Sequence, residues 1–146
     1  MTIASIQVTP EALIAAVAAL VLFMIVSGFI AYKLSRRVRP HKFREKWRRL
    51  QKKLPQQENW LDAVQEADDL LDEAMKKNKI KGATMGERLV NAQKMFKEKD
   101  EVWFGHKLCK KHQENPSLKL KKNDVKRALL ALRQALKDLG ALPDGK

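Results

Sequence analysis

A run of 21 residues without a charged side chain, Ala12 to Tyr32, constrains this chain more than any other feature. As a helix rising about 1.5 Å per residue, it would be about 31 Å long, close to the thickness of a bilayer's hydrocarbon core. In that core the backbone polar groups must bond within the segment, which requires a helix. We therefore expect a transmembrane helix over residues 12–34, preceded by a short extracytoplasmic tail over residues 1–11.

The residues before the apolar run favour a retained anchor over a cleaved signal peptide. A secretory signal begins with basic residues and continues with about 7–15 apolar residues. Here the first eleven residues contain no basic side chain and one acid, Glu11. The apolar run is also longer than a signal peptide requires. The sequence therefore predicts a single-pass membrane protein.

Positive charge is concentrated immediately after the apolar run. The whole chain has a formal net charge of +13, and residues 33–53 hold 11 Lys or Arg residues against one acid, Glu45. The positive-inside rule then places the N-terminus outside and the C-terminal domain in the cytoplasm, at the cytoplasmic (inner) membrane. The single cysteine, Cys109, cannot form an internal disulfide, which suits a reducing compartment.

The basic arm, residues 35–55, has the pattern of an amphipathic helix. Phe43, Trp47, Leu50 and Leu54 form an apolar stripe within a basic surface, which is typical of helices that lie on anionic lipid headgroups. Two alternatives stay open, a solvated topology signal and contact with RNA phosphates. The residues expected to contact lipid are Arg36, Arg37, Arg39, Lys42, Arg44, Trp47, Arg48 and Arg49.

The remaining residues, 56–142, show helical periodicity and no convincing strand, so the fold class is all-α. Thr84 and Glu87 form the pattern of a capping box, and Gly140 is a natural helix stop. Short loops between amphipathic helices make a four-helix up-and-down bundle the expected arrangement, followed by a disordered tail over residues 143–146. The four predicted helices run from about Gln57 to Asn78, from Thr84 to Phe96, from Asp100 to Glu114, and from Asn123 or Asp124 to Gly140.

The stretch from Val102 to Pro116 holds the residue types of an active site. His106, Cys109 and His112 are three residues apart, but on a helix the outer two diverge by about 120°, so one ion cannot take all three. A Cys–His nucleophile would also lack an orienting acid and an oxyanion device. We therefore expect no cofactor and a buried stripe in which His106 bonds to an acid or carbonyl of the first bundle helix.

Three motifs carry a resemblance to a known family. They are W-x-x-A-x-x-x-A-D-x-x-L-D (Trp60 to Asp72), G-x-x-x-G-E-R-L (Gly82 to Leu89) and V-W-x-x-H-K-L (Val102 to Leu108). Together they make the region from about Trp60 to Leu142 similar to membrane-anchored HEPN-like helical domains, the higher eukaryotes and prokaryotes nucleotide-binding fold. The resemblance implies a helical bundle and, in catalytic members, cleavage of RNA by an Arg and a His of the third helix.

The catalytic positions of that family are changed in this chain. Cys109 stands where the resemblance implies the Arg, Lys110 where it implies an Asn, and Glu114 where it implies the His. The resemblance therefore implies the fold without the ribonuclease motif. The expected function is a non-catalytic, membrane-tethered interaction or scaffold module with an unidentified cytoplasmic protein partner, or a homodimer.

Two alternatives to that function remain at the level of sequence. One is an RNA- or nucleotide-binding domain, or a divergent ribonuclease, that uses a surface made of His106, Lys110, Lys111 and His112. The other is a small subunit of a larger membrane complex. Because residues 54–146 hold 19 basic and 15 acidic side chains, the bundle is only mildly basic, so nucleic acid is the less favoured partner.

The topology leads to a direct test. Full-length protein should pellet with membranes after lysis without detergent, and a reporter fused at Lys146 should report the cytoplasm, because the basic residues after the anchor resist translocation. Recovery of the intact chain in the supernatant, or an exterior signal from the reporter, would contradict the prediction.

Overall fold

The computed structural model describes residues 9–35 and 38–144, with the side chains of residues 32–35 left out of that description. The chain divides into two compact units, Met1–Arg37 and Val38–Lys146. All regular structure in the described residues is helical, which confirms the all-α class. The α-helices are α1 (Pro10–Ser35), α2 (Pro40–Lys53), α3 (Trp60–Lys77), α4 (Met85–Ala92), α5 (Lys99–Glu114) and α6 (Lys122–Asp138), with 3₁₀ turns at Gln57–Asn59 and Gln93–Met95.

Helix α1 forms the first unit. Pro10 begins the helix, where a missing N–H costs nothing, and Glu11 lies in its first turn. Its 22-residue segment Pro10–Ala31 has a mean hydropathy of 2.8, and α1 is the one helix of the described residues that is long and apolar enough to cross a membrane. The prediction of such a helix is confirmed. The predicted tail, residues 1–11, lies mostly outside the described residues.

Helix α3 is the centre of the second unit and contacts α2, α4, α5 and α6. Its inward face alternates small and large side chains, since Ala67 and Ala74 are fully buried beside Leu71 and Met75. Alanine lets neighbouring helices approach closely, and the larger side chains fill the space between them. The same principle acts between α5 and α6, where Gly105 faces Leu132.

The apolar stripe of the basic arm lies in this core. Phe43, Trp47 and Leu50 are only 3%, 6% and 1% exposed, within the cluster that contains the buried side chains of α3 and α6. The prediction that this stripe faces lipid is therefore corrected. The predicted boundary between the arm (35–55) and the bundle (56–142) falls inside one packed unit, because α2 and α3 share apolar surface.

Ion pairs fix α2 on α3 along the edge of this contact. Lys46 Nζ lies 2.6 Å from Glu73 Oε2, and Lys53 pairs with Glu66. Each is solvent-exposed and contributes little free energy, about 0–1 kcal/mol. Their effect is on the alignment of the two helices. The paired residues are seven positions apart on α2 and also on α3, so the two pairs hold α2 along α3 rather than across it.

Helix α4 is shorter than the sequence indicated. The predicted cap is present, since Glu87 N donates to Thr84 Oγ1 (3.2 Å), while the Glu87 carboxylate accepts from the backbone of the residue before Thr84, Ala83 N to Glu87 Oε2 at 2.7 Å. The helix nevertheless ends at Ala92, and both Val90 and Met95 are largely exposed. The four longest helices of the packed unit are therefore α2, α3, α5 and α6, a different set from the four predicted.

A buried arginine holds the loop before α4. Arg88 makes a two-pronged contact with Asp72 of α3, Nε to Oδ1 at 2.6 Å and Nη2 to Oδ2 at 3.0 Å, and Nη1 donates to Gly82 O. Partial burial opposes ionisation of Asp72, but the bonds from Arg88 and Lys76 together lower its pKa. Gly82 has φ +152°, and a Cβ there would lie 2.7 Å from Arg88 N, so only glycine fits.

The C-terminal end of α6 forms a Schellman motif. Gly140 has φ +72°, its N–H donates to Lys137 O, and Ala141 N donates to Leu136 O. The predicted stop at Gly140 is confirmed. Leu142 folds back into the core. Part of the predicted disordered tail, residues 145–146, lies outside the described residues.

The burial of α2 predicts where the folded unit begins. A fragment of residues 38–146 should unfold cooperatively in urea, whereas a fragment of residues 56–146 should not, because it lacks the apolar face of α2. In the longer fragment, Leu50→Ala should lower the free energy of unfolding by about 2–5 kcal/mol. Tryptophan fluorescence during the titration measures both effects.

Lys52→Ala is the matched control on the same helix, because Lys52 is exposed and should change stability by less than about 0.5 kcal/mol. Equal cooperativity in the two fragments would show that α2 does not belong to the folded unit.

Candidate functional site

The four residues expected to form one binding surface on α5 do not form it. Lys110 and Lys111 are exposed, but His106 and His112 are buried. The predicted surface of these four residues is therefore corrected. The buried stripe of α5 runs through Val102, Gly105, His106, Cys109 and His112, whereas Gln113 is exposed.

His106 has an acid of α3 as its partner, as the sequence predicted. Its Nδ1 lies 2.9 Å from Asp68 Oδ2, and both side chains are buried. Burial raises the pKa of Asp68 above its usual value, and the hydrogen bond with His106 partly counteracts the rise. Trp103 packs against the imidazole in a T-shaped arrangement, with ring centroids 6.0 Å apart. The pair joins α3 to α5 inside the core.

The other residues of α5 do not add reactive groups to this pair. Cys109 is buried, and burial raises the pKa of its thiol far above the usual range, which disfavours the reactive thiolate. His112 is buried with its Nδ1 unpartnered among the described residues, beside a shallow cavity that Leu61 and Leu118 also line. Within residues 9–35 and 38–144, no group of three or more His, Cys, Asp or Glu is placed to hold a metal ion.

An apolar cavity of about 280 Å³ lies between α2 and α6, and Trp60 at the start of α3 also lines it. Its floor is made by aromatic and aliphatic side chains, and lysines and an arginine stand at its edge. The lining residues are Trp47, Gln51, Leu54, Trp60, Lys122, Val125, Lys126, Leu129, Leu130 and Arg133.

A second cavity of about 550 Å³ continues the first, since the two share Trp47, Gln51 and Arg133. It is more polar, and its other lining residues are Arg44, Arg48, Leu142, Pro143 and Asp144. We call the two cavities together the α2–α6 groove. The C-terminal end of α2 lies opposite the N-terminal end of α6, so the two helices that form its walls run in opposite directions.

The rim of the α2–α6 groove is positively charged. Its basic residues are Arg44, Arg48, Lys122, Lys126 and Arg133. None of the five has a carboxylate of the described residues within ion-pairing distance. The single acid lining the groove, Asp144, lies 3.5 Å from Lys137. Uncompensated charge of one sign along a cleft with apolar walls raises the local concentration of anionic ligands.

The residues expected to contact lipid divide into three groups. Arg36 and Arg37 lie outside the described residues. Trp47 is buried, so its predicted lipid contact is corrected: its ring is part of the floor of the α2–α6 groove. The other five are exposed, namely Arg39, Lys42, Arg44, Arg48 and Arg49, and among them Arg49 is paired with Glu45 at 2.8 Å.

Sequence reasoning missed the groove because its walls are about 80 residues apart in the chain. One local signal was available on α6. Leu130 falls outside the apolar stripe of that helix, between Lys126 and Arg133, and it is 56% exposed. A single exposed leucine is common on protein surfaces, so this local signal did not by itself indicate a groove.

No protein-family model, curated protein or solved structure matches this chain. The α2–α6 groove and its charged rim are therefore the main indication of function in the described residues.

The burial of Cys109 predicts an inert thiol. At pH 8 an aromatic disulfide that reacts with thiols should modify Cys109 at least a hundredfold more slowly in the native protein than in the urea-unfolded protein, because the reaction needs an exposed thiolate. The release of the coloured thiol measures the two rates. Similar rates in the two states would contradict the burial and revive a reactive role for this cysteine.

Proposed function

We propose that this chain is a non-catalytic interaction module that is tethered to the membrane by α1 and docks another protein in the α2–α6 groove. The observation that carries the proposal is an apolar groove whose rim holds five cations without acidic partners in the described part of the chain. Of the chemically suggestive groups elsewhere, His106 is bonded to Asp68 inside the core, and Cys109 is a buried thiol with a raised pKa.

The tether follows from the length and composition of α1 and from the basic residues beyond it. In this proposal the N-terminus is outside and the packed unit is in the cytoplasm. Four residues, Arg36 to Arg39, separate α1 from α2, so the chain keeps the packed unit within a few residues of its anchor. The exposed basic residues Arg39 and Lys42 are then the ones best placed in the sequence for contact with anionic lipids.

A HEPN-like fold without the ribonuclease motif is part of the proposal. What supports it is that the three motifs of the resemblance meet through their polar residues. Asp68 of the first motif contacts His106 of the third, and Asp72 of the first contacts Arg88 of the second. These residues are used for packing, which is consistent with a scaffold role.

Site-specific photo-crosslinking in intact membranes tests the docking function. A photoreactive amino acid in place of Leu130 at the groove should form an adduct with another protein, because the groove binds that protein directly. The matched control is the same replacement at Val90 of α4, which is similarly exposed (51% against 56%) and does not line the groove.

A discrete protein adduct at position 130 and none at position 90 supports docking, and an adduct with a second copy of the chain identifies the partner as a homodimer mate. Labelling of lipid or RNA only, or identical adducts at both positions, contradicts the proposal.

A further inference from the structure

We infer that the occupant of the α2–α6 groove is an acidic amphipathic helix of about three turns, supplied by another protein. The inference rests on the proposed function and goes beyond it by assigning the chemistry of the partner. Three properties of the groove carry it: the shape of its walls, its apolar floor and the distribution of its charges.

The walls have the length and spacing of a helix-binding surface. On α6 the lining residues from Lys122 to Arg133 recur every three or four positions, and so do those on α2 from Arg44 to Leu54. At about 1.5 Å per residue the walls are about 16 Å and 15 Å long, which equals about three turns of helix. Two antiparallel helices with such stripes form the groove into which a third helix packs.

The floor selects an apolar face on the occupant. The buried side chains of Trp47, Val125 and Leu129 form its base, with the partly buried Leu54 and Trp60 beside them. The largely exposed Leu130 stands at its edge. An incoming helix with apolar residues at positions i, i+3, i+4 and i+7 would cover Leu130 and remove this surface from water.

The charges favour a helix over a lipid. Lys122 and Lys126 stand at one end of the apolar floor, whereas Arg44, Arg48 and Arg133 stand at the other. A phospholipid carries its negative charge at one end, so it would leave half of these cations unmatched. A nucleic acid carries charge along its length but would place phosphates over an apolar floor. An amphipathic helix with acids on both flanks matches both the floor and the rim.

The cavity on the other side of α2 differs from the groove in how its charges are paired. The cavity there is also lined by basic residues of α2, but acids of α3 neutralise them, as in Lys46 with Glu73 and Lys53 with Glu66. In addition, the indole Nε1 of Trp47 is buried without a hydrogen-bond partner in the described part of the chain, next to the groove. Of the two cavities that flank α2, the groove is therefore the one whose basic residues lack acidic partners among the described residues.

Synthetic peptides test the inference on the full-length chain in phosphatidylcholine nanodiscs. The probe is a 14-residue helical peptide with Leu at positions 1, 4, 5, 8, 11 and 12 and with Glu and Ala elsewhere. One control peptide has the same composition in an order that abolishes the apolar face, and a second has Lys in place of every Glu. Fluorescence anisotropy of the labelled peptides measures the dissociation constants at low and high salt.

The acidic amphipathic probe should bind at least tenfold more tightly than either control peptide, and salt should weaken its binding because the contacts are between charges. Arg48→Glu with Lys126→Glu should weaken binding at least tenfold. The matched variant Lys110→Glu with Lys111→Glu makes the same change of charge on exposed residues of α5 and should leave binding unchanged. Leu130→Asp at the groove should likewise weaken binding of the probe, and its matched control, Val90→Asp on α4, should leave binding unchanged.

Equal binding of the rearranged peptide, or equal loss in the two double variants, would overturn the inference. Crosslinking from position 130 to phospholipid alone, in nanodiscs that contain phosphatidylserine, would assign the groove to lipid instead. If Leu130 crosslinks to a protein but the acidic probe does not bind, the docking function stands and the assigned chemistry is wrong. If neither occurs, both proposals fail.

Discussion

The packing of α2 on α3 is the contact on which the rest of this structure depends. It buries Phe43, Trp47 and Leu50, and it converts a basic segment beside the anchor into one wall of a folded unit. Once the apolar face of α2 is inside, its charged residues are divided between two sides. Those on one side pair with acids of α3, and those on the side of the α2–α6 groove have no acid within ion-pairing distance in the described residues. The α2–α6 groove follows from that division.

The polar residues of the core serve structure. Asp68 and His106 join α3 to α5, and Asp72 and Arg88 fix the loop that precedes α4. Burying a charged group costs free energy unless the group is paired and hydrogen-bonded. Each of these pairs joins two elements, and therefore favours the arrangement in which those two elements are neighbours. With these groups committed to packing, the surface of the unit is where the proposed function lies.

Several local features could be predicted from the sequence. Thr84 and Glu87 form the predicted cap, Gly140 ends α6, and His106 bonds to an acid of α3, because each of these depends on residues close in sequence or on the need to satisfy a buried polar group. The burial of His112 and the exposure of Val90 were not predicted, because both depend on how far neighbouring helices extend over those positions.

The sequence by itself determined the helical class, the uncharged apolar run from Ala12 to Tyr32 and the position of the basic charges. Periodicity also showed that Phe43, Trp47 and Leu50 share one face. Only the tertiary structure decided that α3 covers this face, because a helical stripe shows which side chains avoid water and not what covers them. The groove has the same origin: its two walls are distant in the chain, and only folding brings their cations to one apolar floor.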